Sequence, residues 1–167
     1  MKQESGFSLI EILIVISLIS IITTITITSQ KYLFQSSTTK TAAAQLLHAI
    51  QIARNQAIIK NKPVILCKTG EWQNGYIIKM QSKKLYIFSN SIPDGIIHWR
   101  AFPSHREDLE FLPTGYSRIE NGTFWLCFKS KKSPAWAIML NQAGRARMIY
   151  PDQKGNIYDG KQMLIQC

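Results

Sequence analysis

The stretch "SGFSLIEILIVI", residues 5–16, decides how the rest of the chain is read. It turns from polar to apolar between Gly6 and Phe7. One carboxylate, Glu11, then enters an apolar run that continues to Ile27 with no other charge. A helix over residues 9–27 is about 28 Å long at ~1.5 Å per residue, close to the thickness of a hydrocarbon core. Thr23, Thr24, Thr26 and Thr28 are poor helix material in water, but in lipid the backbone must satisfy itself and helix remains the default. A carboxylate beside such a core is costly and therefore points to a function. The competing reading is a side chain that snorkels to the interface from near the helix end. The polar head "MKQESG" is very short and no A-x-A site follows the run, so this is not an ordinary secretory signal.

Outward from that run, Ala43, Leu46, Ile50, Ala53 and Ala57 recur at three- and four-residue steps, and Leu47 and Ile58 broaden the stripe. No Pro or Gly interrupts residues 7–62, which predicts one long helix ended by Pro63. Its weakest point is the Ser36–Thr39 tetrad. Beyond it, β-branched and aromatic runs ("PVILCKT", "GYIIKM", "KLYIFS", "GIIHWRA", "LEFLP", "TFWLCF", "AWAIML", "RMIY", "MLIQC") alternate with turn residues, the punctuation of antiparallel hairpins. "PDG" and "ENGT" read as turns, because Asn and Gly tolerate positive φ. The expected fold is α+β, a long N-terminal helix packed on an antiparallel β-sheet domain. Four segments follow: a leader (1–6), an apolar half of the helix that spans a membrane or fills a filament core (7–28), an amphipathic half (29–62) and a β domain (63–167).

The net charge is +10, and residues 31–167 hold all but one of the 20 basic side chains against 8 of the 10 acidic ones. That implies an anionic partner or, equally, simple solubility. Lys129, Lys131, Lys132, Arg145, Arg147, Lys154 and Lys161 crowd the last 39 residues, opposed only by Asp152 and Asp159. Arg145 and Arg147 lie two apart, so on a strand they share a face about 7 Å apart, the scale of successive phosphates. Arg offers bidentate contacts to phosphate, and Gly144 beside it lets a backbone come close. A charged, solvent-facing strand edge is the alternative. Cys67, Cys127 and Cys167 fit one disulfide plus a thiol, or three thiols. There is no CxxC or Cys/His cluster, so no metal site is expected. His48, His98 and His105 form no catalytic arrangement, no phosphate loop occurs, and neither an enzyme nor a cofactor is expected. The four tryptophans, Trp72, Trp99, Trp125 and Trp136, read as packing residues.

"GFSLIEILIVISLISII", residues 6–22, resembles the class III signal of type IV pilins and type II secretion pseudopilins. "ARNQAIIKNKPVILC" (53–67) and "WQNGYII" (72–78) are similar to the helix end and first hairpin of the GspH/FimT group of minor pilins. "NQAGRARMIYP" (141–151) is similar to the G-R-x-R motif of the FimT branch. Two departures stand out: Ser8 replaces the usual Thr, and the mid-helix proline is missing, which suggests a straighter helix. The resemblance implies cleavage by a prepilin peptidase after Gly6, N-methylation of Phe7, and a filament-assembly role for Glu11. The new α-amino group would lie about one helical turn from Glu11, and in low dielectric the two charges strongly prefer to pair. Other implied partners are minor and major pilins and the inner-membrane assembly platform. The implied location is a single-pass inner-membrane protein with a periplasmic β domain, then a pilus, at its tip. FimT resemblance implies non-specific DNA binding during natural transformation, through Gly144, Arg145, Arg147, Lys154 and Lys161 with Lys129, Lys131 and Lys132 at the rim. GspH resemblance implies instead a pseudopilin or assembly-priming pilin that does not touch DNA. A periplasmic domain favours a disulfide; Cys127–Cys167 is the expected pair, with Cys67 a buried thiol.

Overall fold

The computed structural model describes residues 8–167 except Ser91 and His105; the side chains of residues 24–36 are not described. Gly6, Phe7 and His105 therefore lie outside the described residues. Helix α1 (Leu9–Lys60) passes through two compact units that meet between Thr38 and Thr39.

In the first unit every described side chain from Ser8 to Thr23 is exposed, including Leu9, Ile10, Leu13, Leu18 and Ile22. The hydroxyls in this stretch bond to their own helix: Ser17 Oγ donates to Ile14 O (2.7 Å), Ser20 Oγ to Ile16 O (2.8 Å) and Thr23 Oγ1 to Ile19 O (3.0 Å). Such back-bonding lets Ser and Thr sit in an apolar sleeve without leaving a polar group unmet. Among the described residues no helix is long and apolar enough to cross a membrane. The expected span over residues 7–28 includes Phe7, outside the described residues, and residues 24–28, whose side chains are not described.

In the second unit α1 buries the expected stripe. Ala43, Leu46, Ile50, Ala53 and Ala57 are fully buried, joined by Ala42 and Ala49, while Ile58 stays 44% exposed. Asn61 ends the helix at φ 49°, the left-handed conformation that asparagine tolerates, just before Pro63. Among the described residues eight strands follow: β1 (Val64–Thr69), β2 (Glu71–Met80), β3 (Lys83–Ser89), β4 (Gly95–Phe102), β5 (Leu109–Phe111), β6 (Asn121–Phe128), β7 (Trp136–Asn141) and β8 (Ala146–Ile149). They form two antiparallel sheets, β3-β2-β1-β5 and β4-β6-β7-β8, rather than one. One core joins α1 to both sheets through Leu46, Ile50, Leu66, Ile78, Phe124 and Ile138. Trp136 is wholly buried and its Nε1–H donates to Thr39 O (3.0 Å).

Two expectations fail for local reasons. "MLIQC" is not a strand: Ile165 is its one buried residue, and it pairs only through an isolated bridge between Tyr158 and Leu164. "ENGT" is not a turn, since Asn121 and Gly122 begin β6. The glycine is needed there because a Cβ at 122 would collide with the Trp99 ring.

Candidate nucleic-acid interface

Strand alternation sends one set of side chains from β4-β6-β7-β8 into the core and the other to the opposite face. On that opposite face the register aligns Arg100, Thr123, Met139 and Arg147 in one row across all four strands. Strands lie ~4.8 Å apart, so the two arginines stand about 14 Å apart at the backbone, with Thr123 and Met139 as the floor between them. The next row holds Phe102, Asn121 and Asn141. Asn141 fixes the entry to β8: its Oδ1 accepts the Arg145 N–H (3.0 Å) and its own N–H donates to Arg145 O (3.2 Å). Arg145 and Arg147 are both exposed.

The C-terminal segment closes the other side. Ile157 and Ile165 pack on Ala137 and Met139 with Trp125. A disulfide joins Cys127 to Cys167, with Cα atoms 5.5 Å apart, and Cys67 is a buried thiol. The turn at 159–163 is organised by Asp159, whose Oδ1 accepts the N–H groups of Lys161 (2.8 Å) and Met163 (2.9 Å). The result is a groove of about 780 Å³ walled by Arg100, Arg145, Arg147 and Lys161.

The balance of charge in this groove is lopsided. Asp159, the one carboxylate lining it among the described residues, is spent on Arg100 at 3.0 Å. The Arg100 guanidinium also lies 5.8 Å from the centre of the Trp125 ring. Among the described residues no carboxylate pairs with Arg145, Arg147 or Lys161. Three cations are left to face solvent, and a phosphate-bearing chain is the ligand that such an arrangement suits.

The expected cluster is thus split. Arg145, Arg147 and Lys161 come together. Lys154 sits on a separate turn, where Asp152 Oδ1 accepts its N–H (2.9 Å), and Lys129, Lys131 and Lys132 follow β6; none of these four lines the groove. Gly144 is corrected more sharply. It is buried at φ 72°, and a Cβ there would collide with Gly115 O and crowd Arg54. Its role is to close the β7–β8 turn, where its N–H donates to Asn141 O (2.9 Å), and to let the turn pack against the loop at Gly115, which Arg54 Nε also grips (3.0 Å). A ligand backbone has no access to it. Sequence reasoning missed Arg100 and Phe102, which lie over 40 residues before Arg145 and reach the groove only through strand register.

Elsewhere, Glu11 is exposed in the first turn of α1, where a carboxylate complements the helix dipole. His48 is exposed on the helix and His98 stacks on Trp125 with ring centres 5.2 Å apart. Among the described residues no three His, Cys, Asp or Glu side chains are grouped to hold a metal ion.

Comparison with known proteins agrees with this architecture. Type IV minor pilin FimU of Pseudomonas aeruginosa superposes with a TM-score of 0.55 at 21% identity, over 66% of this chain and 91% of FimU. Minor pseudopilin EpsH from the type II secretion system of Vibrio cholerae gives 0.52 at 10% identity, over 68% of this chain and 98% of EpsH. At these identities the likeness is one of fold. The sequence matches no curated protein. The family model of the prokaryotic N-terminal methylation motif matches residues 1–27, and that of type II transport protein GspH matches residues 42–144, more than half of the chain. The protein belongs to the GspH family.

Proposed function

We propose that this GspH-family protein is a minor type IV pilin that binds DNA through the cationic groove and supports DNA uptake in natural transformation. It acts by binding and not as an enzyme. The observation that carries the reading is the convergence of Arg145, Arg147 and Lys161 around a groove whose one carboxylate among the described residues is already paired with Arg100. Contacts of this kind hold phosphates and carry no sequence information. The apolar sleeve of α1, with its internally bonded hydroxyls, supports a single-pass anchor in the inner membrane before assembly and burial among neighbouring pilins afterwards. Prepilin peptidase would cut after Gly6 and methylate Phe7, and the assembly platform would then extract the subunit with Glu11 setting its register. The β domain is periplasmic first and then displayed on the pilus, at its tip, where retraction draws bound DNA inward.

The test is DNA binding by the full chain in detergent micelles across a salt series. Three unpaired cations predict a slope of log K against log salt of about −2.7 on duplex DNA, with micromolar or weaker affinity. Arg145→Gln with Arg147→Gln should reduce the slope by about two and abolish transformation while pili still form. A second reading has its own support in the match to type II transport protein GspH. In it the protein is a pseudopilin or assembly-priming subunit without DNA binding. No binding even at low salt would select that reading.

A further inference from the structure

We infer that the groove is shaped for unpaired nucleotides and takes single-stranded DNA in preference to duplex. This rests on the DNA-binding reading above and specifies the form of the ligand. Phosphate contact alone requires only cations on an open surface. This groove adds apolar surface among its cations. Phe102 and Met163 are 54% and 53% exposed and line the groove with Arg145, Arg147 and Lys161, above a floor that includes Met139. Two large apolar side chains left in water beside three cations without a carboxylate partner among the described residues call for an occupant with apolar faces as well as negative charge.

Duplex DNA presents its phosphates but keeps its base faces stacked inside. An unpaired strand offers both, with phosphates for the arginines and a π-face for the Phe102 ring. Asn121 and Asn141, in the same row as Phe102, add amide groups that can bond to exposed base edges. A run of Asp and Glu supplies carboxylates but no π-face to cover Phe102. The rims at Arg100 and Arg147, about 14 Å apart at the backbone, admit one strand lying along the floor.

The experiment uses the full chain in detergent micelles and fluorescence anisotropy at one fixed salt concentration. The probes are a thymidine homopolymer of about 15 nucleotides and a duplex of equal length. The single strand should bind about tenfold more tightly or better. Phe102→Ala should weaken single-strand binding by about fivefold or more, the scale of losing one stacked base, and weaken duplex binding less. Because Phe102 is exposed, its removal should not shift the melting temperature, and Met163→Ala gives a second, independent variant. Equal or tighter binding of the duplex overturns the inference and leaves the DNA-binding reading standing. So does single-strand binding that neither variant weakens, or that polyglutamate displaces as well as unlabelled oligonucleotide does. Failure to bind either probe overturns both.

Discussion

Replacing Asp159 by Asn should strengthen DNA binding. Asp159 plays two parts that this substitution separates. One oxygen, Oδ1, accepts the N–H groups of Lys161 and Met163 and shapes the turn; Oδ2 accepts from Arg100 at 3.0 Å. Asparagine keeps a carbonyl oxygen for the first part and loses the charge that serves the second. Arg100 is 53% exposed but the Asp159 side chain only 9%, so losing the charged hydrogen bond costs about 1.5–3 kcal/mol of stability. The groove, meanwhile, gains a free guanidinium on the rim opposite Arg147. Raising the neutralised phosphates from three to four should steepen the salt slope on duplex DNA from about −2.7 to about −3.6. At roughly 0.1 M salt one more released counterion is worth about eightfold in affinity. The assay is the salt series already described, with melting temperature as the check on folding. Arg100→Gln together with Asp159→Asn should return the slope to its starting value. An unchanged slope in the single variant would show that Arg100 does not reach the ligand. A shallower one would show that the carboxylate charge itself holds Lys161 in place, and the accounting of charge in the groove would be wrong.

Gly144→Ala should destabilise the domain by about 3 kcal/mol, from left-handed strain and the displaced Arg54–Gly115 hydrogen bond; a denaturant melt checks it, and a neutral result would mean that the turn can shift off Gly115. Cys127→Ser with Cys167→Ser should cost about 4 kcal/mol at most, the chain-entropy value for a separation of 40 residues, read by the same melt with wild type under reducing conditions as its match. Glu11→Val should leave the melting of the β domain unchanged and lower the amount of this subunit in sheared pili, measured by immunoblot; normal incorporation would remove the register role. Mass spectrometry of membrane-extracted protein should find N-methylated Phe7 at the mature N-terminus, and Gly6→Val should leave the leader attached.

What could be read from the sequence is what depends on neighbours along the chain. The helix stripe from Ala43 to Ala57 and eight strand runs are local patterns, and the structure realises them. "MLIQC" misled because an apolar run can be held at a chain end by a disulfide and a single buried isoleucine, without a ladder. "ENGT" misled because its glycine answers to Trp99, a residue more than 20 positions away. The basic residues divide in the same way. Arg145 and Arg147 share a face by two-residue spacing alone, whereas Lys129, Lys131 and Lys132 are near them in sequence and absent from the groove.

Arg100 shows why the rest was hidden, and also why the groove is a stable property of the fold. Its position opposite Arg147 is set by three consecutive strand pairings, none of which is written in a local motif. Those pairings are fixed from the other side of the sheet. Trp99, Phe124, Ile138 and Met148 form the inward row one residue along, and all four pack in or against the core. A slip of one residue at any of the three pairings would turn a core side chain out and an arginine, threonine or methionine in. Burial of Phe124 and Ile138, each fully inaccessible, therefore holds Arg100, Thr123, Met139 and Arg147 in line on the outer face. Phe124 and Ile138 do not line the groove, yet they determine which cations meet there. Substitutions that loosen the inward row should accordingly blur the groove before they unfold the domain, because register is the one thing the two faces share.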